Sequence, residues 1–353
     1  MAARGSLGLR KPLLAVLAVL ALGAAGWGFL QLQRRTALPE SYRLELDRQL
    51  AVDPSLIRFR QAAVLRVSLK EVHAIAVGPE DRIYVAGDRA VEVLGPDGQR
   101  LSGFPLAGKP RCLAVGGEEH ALPGRAYVGE ETRVEVFDAE GKPVAAWESF
   151  GTRAFLTSIS LGEEEVFAAD AGNREVLRFD VNGKLVGRIR GSPGFVIPSA
   201  YFDVLAGPDG LVHIVNPGAR RIETYTAAGE PEGAWGKSGS DVSTFFGCCN
   251  PSHLARLPDG RFVTSEKGIP RVKVYGREGE FECLVAGAEQ LGIRQAAVGD
   301  PRSAEAAGGY DIATDRQGRI LVLDRTIPGV RVFVARETVP ETRANLPAEE
   351  KGV

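Results

Sequence analysis

The sequence has little that would mark a nucleic-acid binder, a disulfide scaffold or a familiar catalytic apparatus. Its 43 Lys+Arg stand against 45 Asp+Glu, a net charge of −2. The basic footprint that phosphate binding leaves is missing, and nucleic acid is not expected as a partner. Four cysteines in 353 residues are too few for a disulfide framework. No GxSxG, HExxH, P-loop or CxxC motif occurs, which removes several common nucleophile, metalloprotease, nucleotide and dithiol signatures. Helical periodicity is missing from residue 62 to 337. Turn formers are plentiful instead, with 43 glycines and 21 prolines, as in a chain that reverses direction often.

Long apolar runs are also missing, with one exception at the N-terminus. "MAARGSLGLRK" supplies Arg4, Arg10 and Lys11, and Pro12 to Gln33 then carries no charge before Arg34-Arg35. About 20 apolar residues suffice for a helix to cross a bilayer, so residues 13–32 are expected to form one transmembrane helix. A cleaved signal peptide is the alternative, since Ala21-Leu22-Gly23 and Gly23-Ala24-Ala25 offer small-residue sites. Either reading places the bulk of the chain outside the cytoplasm, and retention of the helix places it at the cell membrane. The expected organisation is an anchor over 1–35, a stalk over 36–61, a repeat domain over 62–337 and a polar tail over 338–353.

The repeat domain reads as six copies of one unit. Each has an apolar inner strand, a polar turn, a second strand, a polar loop, a third strand and a glycine turn. The inner strands read "AIAVG", "CLAVG", "SISLG", "DVLAG", "HLARL" and "DIATD". Gly98, Gly141, Gly183, Gly229 and Gly279 follow successive third strands at intervals of 43, 42, 46 and 50 residues. That interval is the length of a four-stranded propeller blade, so the expected fold is an all-β, six-bladed β-propeller preceded by one transmembrane helix. The sixth copy ends near Arg336 without a fourth strand, whereas "AVLRVSL" (63–69) has no blade of its own. It is expected to be the outer strand of blade six, so that no open edge remains.

"FAADAGNREVLRFDVNGKLV" (167–186) resembles an NHL repeat in its Asp170, Asn173, "EVLRF" strand and Asn-Gly turn. Weaker echoes extend over 62–337, and "AIAVGPEDRIYVAGD" and "CCNPSHLARLPDGRFVTSEKGIPRVKVYG" are similar to segments of bacterial membrane-anchored NHL-repeat proteins. The resemblance implies a six-bladed propeller outside the cytoplasm. It leaves function open among protein-binding platforms, sensor domains, RNA readers and metal-dependent lyases. Blade five departs from the pattern, with "SEKGIPR" in place of D-x-x-N-R.

Inner strands of a propeller start together near the axis, which brings Cys112, Ser158, Asp203, His253 and Asp311 toward one another, with His73, Arg111 and Tyr310 one step earlier. Two long connections flank blade five: Gly236 to Asn250, and roughly Ala288 to Gly308. Long loops in a compact domain are usually functional or disordered, so this sector is the expected working face for a protein or small-molecule partner. The first connection carries "FFGCCNPSH". The expected ligand-binding set is Cys248, Cys249, Asn250, His253, Asp203, Asp311, Tyr310, Glu266 and Arg111. Asp170, Asn216 and Asp324 follow second strands, where short polar side chains satisfy turn backbone.

A membrane-anchored, non-enzymatic binding propeller is the leading function. The alternative is a lyase- or lactonase-type enzyme with an axial divalent ion held by Asp203, His253 and Asp311, and with His73 or Tyr310 as acid–base partner. A redox accessory using the adjacent thiols is a third reading. For Cys248 and Cys249, free thiols, a vicinal disulfide, soft-metal ligation with His253 and a bridge to Cys283 all stay open.

Overall fold

The computed structural model describes residues 16, 17, 19–28, 50–293 and 309–336. The chain divides into two units, Met1–Ala51 and Val52–Val353. In the first, residues 16, 17 and 19–28 are helical and mostly exposed. Among the described residues no helix is long and apolar enough to cross a membrane. The rest of the expected 13–32 span, residues 36–49 of the stalk and the 338–353 tail lie outside the described residues.

The second unit contains six four-stranded antiparallel sheets. The inner strands are Val72–Val77, Cys112–Val115, Leu156–Leu161, Val204–Ala206, His253–Arg256 and Ile312–Thr314. Second and third strands are buried on both faces, as in Ile83–Gly87, where every residue is buried. Hence they read as near-continuous apolar runs rather than as alternation. Outer strands are more exposed: Pro143–Trp147 keeps only its last residue inside, although Phe281–Ala286 buries its last four.

Six apolar clusters fill the interfaces between successive blades. Tyr84 and Val93 of blade one meet Leu113 and Val128 of blade two, and the series continues until Ile83 and Leu94 of blade one meet Leu321 and Val332 of blade six. The ring is closed by packing. It is also closed by pairing, because Phe59–Arg66 forms the outer strand of blade six, antiparallel to Gly329–Ala335, with Leu65 opposite Val330 and Ala63 opposite Val332. This strand begins four residues before the expected segment and stops at Arg66, where "VSL" leaves it. A 3-10 turn over Pro54–Leu56, capped by the Asp53 side chain, leads into it.

The interval glycines all adopt positive φ, between 78° and 92°, a conformation glycine enters at no steric cost. At Gly98 there is also no room for a side chain: a Cβ there would lie 2.7 Å from the Leu65 side chain. The turn of blade one thus seats directly on the strand that completes blade six.

Candidate functional site

The polar side chains that start the inner strands are used first to join blades. Asp203 accepts Leu254 N–H of blade five at 2.6 Å and its own strand's Val204 N–H at 2.9 Å. Asp311 accepts Ile75 N–H of blade one and Ile312 N–H, both at 2.9 Å. Thr157 donates to the Phe202 carbonyl at 2.6 Å, and Ser265 donates to the Tyr310 carbonyl at 2.6 Å. These bonds give buried backbone groups at the blade junctions their partners.

Asp203, His253 and Asp311 are brought together by three successive blades. His253 Nδ1 lies 3.7 Å from Asp203 Oδ2 and 3.5 Å from Asp311 Oδ1. Burial pushes the imidazole pKa below its ordinary value despite the attraction of Asp203. Its Nε2 is buried without a hydrogen-bond partner, and Tyr201 packs edge-on against the ring at 6.0 Å. Among the described residues no group of three His, Cys, Asp or Glu side chains is arranged to hold a metal ion. At the axis, each of the four carboxylate oxygens of Asp203 and Asp311 accepts one backbone amide. The expected ligand set is brought together, with each oxygen already holding one strand amide.

A cavity of about 1160 Å³ runs from this trio along the inner strands to the turns joining first and second strands. Its far end is charged. Arg316 of blade six binds Asp81 of blade one at 3.2 Å and also pairs with Glu118 of blade two. Altogether seven carboxylates (Asp81, Glu118, Glu119, Glu163, Asp203, Asp311 and Asp315) and two guanidinium groups (Arg256 and Arg316) line the cavity.

Cys248 and Cys249 do not line this cavity; they sit in the connection that leads into His253–Arg256, at the end opposite the Arg316 cluster. Their sulfurs are 3.2 Å apart, and all four cysteines are free. Asn250 clasps the loop from below, donating to the carbonyls of Phe246 and Lys267 and accepting from Lys267 N–H at 2.8 Å. Glu266 also reaches the loop, accepting Phe246 N–H at 3.4 Å, but it is fully buried and its ion-pair partner is Lys273, so it is no surface group. Tyr310 is buried in the core between blades five and six. Arg111 lies over the Phe155 ring at 4.1 Å and beside Glu131, away from the cavity. His73 contacts Glu71 at 3.5 Å. Asp170 and Asp324 cap their turns through Asn173 and Thr326, and Asn216 accepts Val196 N–H.

Fold and site together define a six-bladed β-propeller with an axial cavity. No protein-family model matches the chain, and no curated protein matches it. Among solved structures, a streptogramin B lyase is similar with 10% identity and a TM-score of 0.54, over 80% of this chain and all of that one. A catalytically inactive variant of virginiamycin B lyase from Staphylococcus aureus, solved with quinupristin, has 12% identity and a TM-score of 0.52, covering 79% of this chain and 100% of that one. The WD40 propeller domain of Doa1 has 13% identity and a TM-score of 0.51 over 79% and 98%. At these identities the likeness extends to the fold alone.

The axial trio has a testable pH signature. Burial pushes the Asp311 carboxyl from 3.8 up to about 6, against the opposing pull of the Ile75 amide, Arg325 and the Ile312 amide. The native state therefore holds a proton there that the unfolded chain has released. This contribution to stability is present below the unfolded value and is lost as pH rises through about 6. Its full loss is on the order of 3 kcal/mol. Asp311→Asn should destabilise most near pH 4 and gain on the native chain as pH is raised to about 7.5. Asp203 and His253, which face the same carboxyl, are common to both proteins. Melting temperatures across this range would expose the error if the difference stayed flat or moved the other way.

Proposed function

We propose that this chain is a membrane-tethered, extracytoplasmic, NHL-type propeller that binds a small ligand, or a side chain of a protein partner, in its axial cavity and performs no reaction on it. The carrying observation is that Asp203 and Asp311, the two axial carboxylates, hold a backbone amide on each of their oxygens and so join strands and blades. What remains is a large cavity whose lining is mostly settled and whose charge is acidic. A cleft walled by one sign of charge concentrates the opposite sign, so the favoured ligand is cationic. The uncharged run from Pro12 to Gln33 supports the tether, and the N-terminal strand that closes blade six supports attachment of the propeller at that end.

The test uses matched probes on the purified full chain in detergent: butylammonium, butanol and butyrate. Butylammonium should raise the melting temperature in a saturable way and butyrate should not. Equal effects of all three probes would overturn the cationic-ligand reading. A stoichiometric divalent ion, with a melting temperature that falls on chelation, would favour the metal-dependent enzyme. Protease protection of the propeller in intact cells, with a mature N-terminus near Met1, tests the tether.

A further inference from the structure

The two adjacent thiols are not equivalent. Cys248 is exposed, while Cys249 is buried, and the two share a hydrogen bond at 3.2 Å. Ser199 and Lys267, whose hydroxyl and ammonium are 3.1 Å apart, both lie against Cys249. Burial opposes ionisation of Cys249, but the Ser199 hydroxyl, the Cys248 thiol and the Lys267 charge together hold it below the usual cysteine range. Cys248 moves the other way, held up mainly by its hydrogen bond with Cys249. The pair thus has one accessible sulfur and one sulfur built to carry negative charge. Cys112 and Cys283 are buried in the ring, and burial pushes both thiols up.

We propose that Cys248 and Cys249 form a redox-active vicinal pair that closes and opens by exchange with small disulfides and thiols, Cys248 being the attacked sulfur and Cys249 the leaving one. In closing, the Cys248 sulfur attacks a disulfide RS–SR and releases one thiol, leaving a mixed disulfide. The Cys249 thiolate then attacks the Cys248 sulfur and expels the second RS−. The two cysteine protons end on two released thiols, and the two electrons reduce the external disulfide. In opening, RS− attacks the exposed Cys248 sulfur and Cys249 departs as a thiolate, stabilised where it stands by Lys267 and Ser199. A second RS− attacks the external sulfur of the mixed disulfide, regenerating RS–SR and freeing Cys248.

Two effects set the equilibrium in the same direction. Adjacent Cα atoms lie about 3.8 Å apart across a trans peptide, short of the roughly 4.4–6.8 Å that disulfides prefer. Stabilisation of the Cys249 thiolate favours the open form further. Couples of this kind are oxidising and labile, and a leaving thiol of low pKa departs faster. This inference is independent of what enters the axial cavity.

The probe is a series of reduced and oxidised glutathione mixtures applied to the full chain, quenched with acid, alkylated and digested. Tryptic peptide Ser238–Arg256 contains Cys248 and Cys249 and no other cysteine. At the oxidised end of the series it should carry no alkyl group and be two hydrogens lighter than the free dithiol, and at the reduced end it should carry two alkyl groups, while Cys112 and Cys283 stay alkylatable. Lys267→Met should slow opening by reduced glutathione, roughly threefold for each unit by which the Cys249 thiol rises. Lys267→Arg should keep the native rate, and alkylation of Cys248 should serve as the control for accessibility. A glutathione adduct on Cys248 that never resolves, or an opening rate unchanged in Lys267→Met, would overturn the proposal.

Discussion

A chain starting at Val72 should fail to fold cooperatively, whereas one starting at Val52 should melt in a single sharp transition. The missing strand, Phe59–Arg66, pairs along the whole of Gly329–Ala335. Removing it leaves a row of donors and acceptors unpaired at the edge of blade six. It also opens two interfaces. Phe59 belongs to the core between blades five and six, and Leu65 belongs to the core between blades six and one. Losing those two buried side chains alone costs roughly 3–6 kcal/mol, comparable with the entire stability of an ordinary domain.

The effect should spread around the ring, because each blade is held by packing against its two neighbours and the closure is shared. Leu65→Ala isolates the packing from the pairing, and roughly 2–5 kcal/mol is the expected loss for a large-to-small change in a core. Denaturant melts of the three proteins decide the matter. Should the Val72 chain unfold as sharply and as late as the Val52 chain, blade six does not need its fourth strand and this account of closure fails.

The architecture was legible because its signals are local and repeated. Gly98, Gly141, Gly183, Gly229 and Gly279 mark turns that need positive φ, and the strands between them recur at blade spacing. The unpaired "AVLRVSL" could be assigned only by counting strands, and its start at Phe59 was missed because "RFRQ" does not alternate. At the site, register alone brought Asp203, His253 and Asp311 to the axis. What register does not reveal is that these carboxylates are tied to amides of their own strands and of the next blade. Nor does it reveal depth: Asp81, Glu118 and Arg316 come from three different turns, and no short motif links them. Tyr310 and Glu266 stand beside functional-looking positions in sequence yet are buried, one in an inter-blade core and the other under a loop.

Lys273→Met should cost on the order of 3–5 kcal/mol, the usual penalty for stranding a buried charge. Lys273 and Glu266 are 0% and 1% exposed. The ammonium also donates to the Thr244 carbonyl at 2.7 Å and lies 5.3 Å from the Phe245 ring, so it pins the loop that leads to Cys248. Burial pushes the Glu266 carboxyl up and the Lys273 ammonium down, each opposed by the other's charge. With lysine gone, only Arg271 and the Phe246 amide still favour the carboxylate, and Glu266 should take up a proton in the native state. The folded carboxyl then rises further above its unfolded value, so the deficit should be largest at about pH 8 and shrink as pH falls toward about 5. Replacing both partners, as Glu266→Leu with Lys273→Met, removes the stranded charge and should recover most of the loss, since apolar replacements of buried pairs are often neutral or stabilising. Urea melts of the two single variants and the double variant, at both pH values, form the measurement. If the double variant is as unstable as the sum of the singles, or if Lys273→Met loses less than about 1 kcal/mol, the pair is not what holds the cysteine loop on blade five.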